Sequence, residues 1–305
     1  TAVSAGRVMG QGHDEDLRIS LAGAQEKTAL LRHRGRWSRP LGATPTTHIF
    51  KLPLGLVGNM RADMTGSVEN EWLCARLCAA LGLPVADCEI AVFGRRKVLV
   101  VERFDRALAT GSVGPWIARL PQEDFCQALG LPGTLKYESD GGPGVTDLLR
   151  ILDTSSRAAD DRRNFVLSLL TFWLLAATDG HAKNFSIFLE RGGGYRLTPL
   201  YDVLSAWPII GNGPNQLAAK RAKLSMALRS KNVHYHLAEI QTRHWQGVAQ
   251  QSGVPFDALR QLVERVPAAL DTVEAQLPEG FPGRIWQPIR AGMLAQALRF
   301  GGGLP

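Results

Sequence analysis

The hydrophobic positions divide the chain into a strand-rich first third and a helix-rich remainder. Short apolar runs that end at Gly, Pro or charged residues predict strands at Thr47–Leu52, Glu89–Phe93 and Lys97–Glu102. Between the first two strands, Val68–Leu81 has a helical pattern with acidic residues in its first turn and a glycine after its last, which predicts one helix. The pattern therefore predicts a small β-rich lobe over residues 1–106.

From about Ala107 the chain is predicted to be mainly helical. The helices predicted on this basis are Gln122–Leu129, Val145–Leu152, Asp160–Ala177, His234–Gln251, Phe256–Leu277 and Pro288–Phe300. One hairpin interrupts them, because Phe185–Leu189 predicts a strand, Gly192–Gly194 its turn and Tyr195–Leu200 the return strand. We therefore predict a two-lobed α+β fold whose larger, helical lobe covers residues 107–305.

Composition excludes only a few classes of protein. Of 305 residues, 45% are hydrophobic and 21% are charged, which is typical of a globular protein and not of a disordered or fibrous one. The net charge of +7 suits contact with phosphates, nucleic acid or an acidic partner, although a solvated basic face is the simpler explanation for much of it. The most apolar run, Phe165–Ala177, is shorter than a membrane span and is interrupted by Ser168 and Thr171, so no membrane contact is expected.

The cysteines point to a reducing compartment. They have no spacing typical of metal ligands, so we predict reduced, mostly buried thiols and a cytoplasmic protein. These residues are Cys74, Cys78, Cys88 and Cys126.

The stretch from Thr178 to Asp202 carries the clearest candidate chemistry. Asp179 is followed by four residues and then Asn184, which is the spacing of a kinase catalytic loop where the Asp accepts the substrate hydroxyl proton and the Asn holds Mg²⁺. The predicted hairpin would bring Asp202 beside Asn184, and a carboxylate with a carboxamide suits Mg²⁺. Taken alone, the spacing is more often that of a surface loop whose Asp and Asn cap backbone groups.

Other parts of a kinase follow in the same order. Lys27 ends a small-residue loop whose amides could cradle phosphate, and Lys51 lies within a strand from which it could reach phosphates. Glu71, on the following helix, could pair with Lys51, and the backbone of Glu102–Phe104 could meet adenine at a hinge. Each feature also has an ordinary explanation, namely a turn, a solvated edge lysine and an acid favoured by the helix dipole. The ordered set therefore carries the prediction.

Seven strings resemble the HipA family of bacterial serine/threonine-kinase toxins from type II toxin-antitoxin modules. They run from about Leu17 to near the C-terminus and read ISLAGAQEKTALL, TTHIFKLP, VERFDR, LPQEDFCQALGLP, KYESDGGPG, TDGHAKNF and RLTPLYD. The resemblance implies a two-lobed kinase fold related to phosphoinositide kinases, and ATP and Mg²⁺ as cofactors.

The same resemblance implies roles for individual residues. Asp179 would be the catalytic base, Asn184 and Asp202 would bind Mg²⁺ and the nucleotide, and Lys51 would hold ATP phosphates. The remaining nucleotide-binding set comprises the phosphate loop Ala22, Gly23, Ala24, Gln25, Glu26 and Lys27, the hinge residues Glu102, Arg103 and Phe104, the phosphate-side residues His181, Ala182 and Lys183, and Tyr201.

Regulation and partners are also implied by the resemblance. Ser20 matches the family's autophosphorylation serine, whose new charge would expel the phosphate loop and switch the kinase off. Such toxins phosphorylate an aminoacyl-tRNA synthetase, typically the glutamyl enzyme, which halts translation and produces dormancy. A helix-turn-helix antitoxin of the HipB type neutralises them and carries them to operator DNA. The alternatives are a corepressor or scaffold on that antitoxin, or the same fold acting on another synthetase, a small molecule or a lipid.

The beginning of the chain departs from the family pattern. Family members usually carry a small subdomain before the phosphate loop, whereas only about sixteen residues precede Leu17 here. We therefore expect either a fragment of a two-component toxin or a member of the three-component branch. Arg18, where that branch tends to have a second serine, favours the fragment.

Overall fold

The computed structural model describes residues 25–58, 61–112 and 114–302. In chain order, its first elements are β1 (Lys27–His33), β2 (Arg36–Ser38), β3 (His48–Lys51), β4 (Gly55–Val57), β5 (Ala62–Met64), α1 (Ser67–Ala80), β6 (Cys88–Phe93), β7 (Arg96–Glu102), β8 (Arg106–Gly111) and β9 (Gly114–Arg119). They are followed by β10 (Gln122–Asp124), α2 (Phe125–Ala128), α3 (Val145–Leu152), α4 (Ala158–Leu175), β11 (Ser186–Leu189), β12 (Tyr195–Leu197), β13 (Lys223–Arg229), β14 (Val233–His236), α5 (Thr242–Ser252), α6 (Phe256–Glu264), α7 (Val266–Glu274) and α8 (Gly283–Phe300). The predicted division into a β-rich part and a mainly helical part is thus present.

The first part is built on an antiparallel sheet with the strand order β2-β1-β3-β7-β6. The β1–β2 hairpin turns at Arg34 and Gly35, whose φ angles of 50° and 75° are those of the tight turns that suit the twist of paired strands. The register of β1 and β3 places Lys27 directly opposite Lys51. Two basic side chains therefore meet at the end of the sheet that faces the rest of the chain.

Helix α1 lies between the sheet and the helical part. It packs against β6 and β7 on one side and against α4, α7 and α8 on the other. Because both sides are covered, even Glu69, Asn70 and Glu71 are buried. The helix ends just before Gly82, which has a positive φ of 84° that glycine adopts without strain. The predicted helix Val68–Leu81 is therefore confirmed to within a residue.

Backbone and side-chain bonds join the two parts next to α1. Leu200 forms a parallel bridge with Val85, and its N–H donates to the carbonyl of Pro84 at 2.8 Å. The buried amide of Asn70 donates to the carbonyl of Ser205 at 2.8 Å and accepts the N–H of the same residue at 2.9 Å. These bonds bind residues 200–205 to the β-rich part.

Helix α4 is the centre of the second part. It packs against α1, α3, α5, α6 and α8, and its residues from Phe165 to Leu175 are buried. The helix ends at Ala176, whose left-handed φ of 50° turns the chain abruptly into the loop that carries Asp179. None of the described helices is long and apolar enough to cross a membrane.

Five details differ from the sequence predictions. The chain does not become helical at Ala107, because β8 and β9 form a hairpin in which Trp116 packs over Gly111. The predicted helix Gln122–Leu129 begins as β10, which pairs with β11, before Asp124 caps the short α2. The predicted helix His234–Gln251 begins only at Thr242, because Val233–His236 pairs with β13.

The last two differences concern prolines near the C-terminus. The predicted helix Phe256–Leu277 is two helices, since Pro267 occupies the first turn of α7 and cannot supply the N–H that a continuous helix needs. Helix α8 begins at Gly283, five residues before Pro288, which lies inside it.

Candidate active site

Lys51 is the centre of an ionic cluster between the two parts, in which Lys51 and Glu71 are buried and the Asp202 side chain is 38% exposed. Its Nζ lies 2.5 Å from Glu71 Oε1 and 2.9 Å from Asp202 Oδ1. The predicted pairing of Lys51 with Glu71 is confirmed, and Asp202 joins it. Burial opposes the charge on Lys51, but the carboxylates of Asp202 and Glu71 outweigh burial and raise the pKa of the ammonium group. Lys51 is therefore a fixed cation at this interface.

The two carboxylates of the cluster differ in their ionisation. Burial raises the pKa of Glu71, Lys51 opposes the rise and Asp202 adds to it. Lys51 lowers the pKa of Asp202, with burial acting against it, so Asp202 is the more firmly ionised of the two. Asp202 has a left-handed φ of 59°, which is uncommon for a residue other than glycine and marks a constrained position.

Lys27 adds a second cation. It faces Lys51 across β1 and β3, and burial together with Lys51 lowers its pKa. The chain before it is bonded to the residue that follows β3, because Gln25 Nε2 donates to the carbonyl of Leu52 at 2.6 Å and the carbonyl of Glu26 accepts the N–H of Leu52 at 3.2 Å. The other predicted phosphate-loop residues, Ala22, Gly23 and Ala24, lie outside the described residues, as does Ser20.

Asp179 lies in the loop that follows α4, with its side chain 64% exposed. Its Oδ1 accepts a hydrogen bond from Tyr137 Oη at 2.6 Å and lies 3.8 Å from Nε2 of the buried His181. Burial lowers the pKa of His181, against the opposing effect of Asp179, so its imidazole favours the neutral form. An exposed carboxylate beside a neutral imidazole can accept a proton from an approaching hydroxyl group.

Asn184 is held in the same loop. It is buried, and its Oδ1 accepts the backbone N–H of His181 at 3.2 Å. Ala182 is fully buried, and Lys183 Nζ lies 2.6 Å from Asp124 Oδ2. Lys183 is therefore engaged by an acid that sequence reasoning did not assign to it.

The hinge residues meet an aromatic surface. The ring of Phe104 lies 5.7 Å from that of Tyr201 and 5.7 Å from that of Phe188. Tyr201 Oη shares a hydrogen bond with Ser186 Oγ at 2.6 Å and donates to the carbonyl of Lys183 at 2.8 Å. Burial raises the pKa of Tyr201, which keeps its hydroxyl protonated.

Two of the hinge N–H groups are already used within the protein. The N–H of Glu102 donates to the carbonyl of Asp87 at 2.8 Å, and that of Arg103 to the carbonyl of Thr47 at 2.9 Å. The Arg103 side chain forms a salt bridge with the buried Asp105, with Nη2 2.7 Å from Oδ2. The VERFDR string is thus largely structural, and Phe104 is its member best placed to contact a ligand.

The residues fit a magnesium ion as oxygen donors, but they do not form a dense metal site. Within the described ranges, no group of three or more His, Cys, Asp or Glu side chains could hold a metal. Asp202 offers an ionised carboxylate and Asn184 an amide oxygen with a remaining lone pair, which is the sparse donor set typical of Mg²⁺ bound together with phosphate oxygens.

The sequence profile of the HipA-like C-terminal domain matches residues 19–273. The chain belongs to this family. The predicted HipA resemblance is thereby confirmed for most of the chain. Among its relatives, putative kinase Y4mE of Sinorhizobium fredii is 36% identical over 252 residues, which are 82% of this chain and 54% of that protein. The serine/threonine-protein kinase toxin HipA of Shewanella oneidensis is 34% identical over 199 residues, which are 62% of this chain and 43% of the toxin. The chain thus spans about half the length of these relatives.

Solved structures confirm the fold of this HipA-family chain. A complex of HipA, HipB and operator DNA from Shewanella oneidensis contains a chain that matches with a TM-score of 0.75 and 25% identity, over 93% of this chain and 66% of that one. The proinflammatory kinase CtkA of Helicobacter pylori matches with a TM-score of 0.59 over 93% of this chain and 92% of that one. At 13% identity, CtkA bears on the fold alone. The predicted kinase-like fold is therefore confirmed.

Proposed function

We propose that this chain binds ATP between its two parts and transfers the terminal phosphoryl group to a serine or threonine hydroxyl. The observation that carries the proposal is the ionic cluster of Lys51, Glu71 and Asp202, in which Glu71 and Asp202 lie 20 and 151 residues from Lys51 in the sequence. Kinases carry this combination of a strand lysine, a helix glutamate and an aspartate after the catalytic loop. The named kinases among the relatives support the same activity.

The nucleotide would lie along the line from the hinge to the catalytic loop. Lys51 and Lys27 would neutralise phosphate charge, and Glu71 would hold Lys51 in place for that task. Since the N–H groups of Glu102 and Arg103 are engaged, adenine recognition falls mainly to Phe104, whose ring lies against Tyr201. Of the predicted phosphate-side residues beside Asn184, His181 and the backbone of Lys183 would line the phosphates, since Ala182 is fully buried and Lys183 Nζ pairs with Asp124.

Asp179 would act as the general base. The acceptor hydroxyl oxygen would form the new bond to the terminal phosphorus while its proton passes to an Asp179 oxygen, and ADP would leave with the electron pair of the broken bond. Asn184 and Asp202 would hold Mg²⁺, which supplies neutralising charge to the phosphates when it is bound. The exposure of Asp179 leaves room for a protein substrate to approach it.

The toxin role extends this proposal. An aminoacyl-tRNA synthetase, with the glutamyl enzyme favoured, would be the acceptor, and its modification would inhibit translation and promote dormancy. Phosphorylation of Ser20 would switch the kinase off. A helix-turn-helix antitoxin would bind the protein and carry it to operator DNA, as suggested by the neighbouring structure that contains HipB and DNA. A cytoplasmic location suits all these partners.

The test compares two aspartate variants with labelled ATP, Mg²⁺, glutamyl-tRNA synthetase and its tRNA. Asp179→Asn should abolish transfer and leave ATP affinity within about threefold of the wild type, because the base acts on the hydroxyl group. Asp202→Asn should weaken Mg·ATP binding in calorimetric titration. Asp257→Asn, in an exposed pair with Arg260 on α6, is the matched control and should behave as the wild type. Transfer by Asp179→Asn at the wild-type rate would contradict the assignment.

A corepressor or scaffold role is the second candidate. It is favoured by the complex with antitoxin and operator DNA in which the structural neighbour was solved. The basic cluster that could contact DNA is exposed and comprises Lys220, Arg221, Lys223, Arg229 and Lys231. If operator affinity of the antitoxin does not change when this chain is added, that role fails.

A further inference from the structure

Tyr137 contacts the proposed base but has no part in the proposed function. Its hydroxyl donates to Asp179 Oδ1 at 2.6 Å across 42 residues of sequence. A hydrogen bond to a charged acceptor is stronger than one between neutral groups, and it restricts the rotation of the carboxylate. The exposed side chain of Asp179 would otherwise be free to sample several rotamers in water.

The ring of Tyr137 is itself held on two sides. The imidazole of His181 packs against it edge to face, with centroids 5.0 Å apart and planes at 76°. Lys136 Nζ lies 4.8 Å from the centroid of the tyrosine ring. Burial and the bond to Asp179 raise the pKa of Tyr137, so the phenol stays protonated and remains a donor.

The loop that carries Tyr137 is anchored to the fold. The Tyr137 carbonyl accepts the N–H groups of Asp140 at 3.1 Å and Gly142 at 2.9 Å. A Cβ on Gly142 would overlap the carbonyl of Leu135 and lie 2.7 Å from that of Tyr137, so this tight loop requires glycine. The loop therefore has a specific, compact form.

Glu138 fastens the same loop to β13. Its side chain is only 5% exposed, and its carboxylate accepts the N–H of Ala227 at 2.7 Å and pairs with Arg229. A Cβ on Gly144 would lie 2.6 Å from the Glu138 carboxylate, so the chain closes tightly around it. Because these contacts hold the loop firmly, the Tyr137 hydroxyl stays beside Asp179.

We infer that Tyr137 is a positioning residue that orients the Asp179 carboxylate for proton transfer. The phenol occupies Oδ1 and leaves Oδ2 to receive the acceptor hydroxyl proton. This inference rests on the proposed function, in which Asp179 is the base. The opposite role, in which the phenol blocks the place of the acceptor hydroxyl until a substrate displaces it, is distinguished by the test.

The test is Tyr137→Phe, which removes one oxygen and keeps the ring. With labelled Mg·ATP and glutamyl-tRNA synthetase carrying its tRNA, we expect kcat to fall between about ten- and a hundredfold, as for a misplaced catalytic group. The KM for ATP and the melting temperature should stay at wild-type values, whereas a merely structural role would lower the melting temperature. Tyr195→Phe, which removes a hydroxyl bonded to the Ile151 carbonyl at 2.6 Å, is the matched control and should leave kcat unchanged.

Two results of this kinetic assay would overturn the inference. An unchanged kcat in Tyr137→Phe would remove the positioning role. A higher kcat with a lower KM for the synthetase would show that the phenol blocks the acceptor. If the wild type transfers no phosphate, the proposed function fails, which is a separate result.

An NMR measurement that does not depend on kinase activity tests the contact between Tyr137 and Asp179. In protein labelled with tyrosine carrying ¹³C at Cζ, the resonance assigned to Tyr137 by its loss in Tyr137→Phe should shift in Asp179→Ala, while that of Tyr195 should not. A Tyr137 resonance that does not move would overturn the inference whether or not the chain is an active kinase.

Discussion

Gly180 separates Asp179 from His181, and the structure predicts that it cannot be replaced by alanine without cost. A Cβ at this position would lie 2.6 Å from Cε2 of Phe172 and still closer to Cδ2. Phe172 is 2% exposed, and its ring lies 5.5 Å from that of Phe185, so the ring has no room to retreat. Either the core or the loop has to move.

The size of the effect follows from that overlap. Carbon atoms in contact prefer separations of about 3.5–4.0 Å, so the added methyl group intrudes by roughly 1 Å. Overpacking of this kind costs about 1–3 kcal/mol, offset in part by the about 0.4–1 kcal/mol that alanine gains through the unfolded state. If the loop takes up the displacement, Asp179 shifts and transfer falls by up to about a hundredfold.

Urea unfolding and the phosphoryl-transfer assay measure the two consequences of Gly180→Ala. Gly247→Ala is the control, because the nearest atom to a Cβ there is the Arg229 carbonyl oxygen at 3.9 Å, and alanine inside α5 should stabilise the protein by about 0.5–1 kcal/mol. Phe172→Leu should make room, so that the double variant loses less than the sum of the single losses. A Gly180→Ala protein with wild-type stability and activity, or strictly additive losses, would refute this reasoning.

Three further predictions concern buried ionisable side chains. Lys51→Met leaves the buried Glu71 carboxylate unpaired and should lower the free energy of unfolding, measured with urea, by about 3–5 kcal/mol. Adding Glu71→Gln should recover part of that loss, and a loss below about 1 kcal/mol in Lys51→Met would contradict the pairing. Glu138→Gln should lower the free energy of unfolding, measured with urea, by about 1–3 kcal/mol, and it should reduce kcat as Tyr137→Phe does. An unchanged free energy of unfolding together with an unchanged kcat would refute the anchoring role of Glu138. His181 has a pKa lowered from 6.5 by burial, so its contribution to stability is present above pH 6.5 and is lost as pH falls below it, with a slope of up to about 1.4 kcal/mol per pH unit. His181→Gln should remove that part of the slope in urea unfolding, and an identical pH dependence would contradict it.

The local parts of the site could be predicted because each is a short pattern with its own chemistry. Lys51 lies in an apolar strand and Glu71 on a helix with clear ends, and kinases pair a strand lysine with a helix glutamate. The structure places them in contact with each other and with Asp202. The spacing of Asp179 and Asn184 likewise places both in one loop, although their proposed roles depend on the experiments above.

Other features were hidden for physical reasons. The interior residues of β13 are all buried, so they show no alternation, and Leu, Met and Ala favour helices elsewhere. Tyr137 reaches Asp179 only through the tertiary fold, which no local periodicity reports. By contrast, the glycines that bracket the β8–β9 turn and Pro267 at the start of α7 are visible signals, and both could have corrected the helix predictions.

The most direct test of the central claim is the intact mass of the chain after incubation with Mg·ATP, followed by peptide mapping. We expect a gain of one phosphate, mapped to Ser20, in the wild type and none in Asp179→Asn. A wild-type chain that binds ATP and gains no phosphate, with no transfer to the synthetase, would contradict kinase activity. A phosphate gained equally by Asp179→Asn would contradict the assignment of Asp179 as the base.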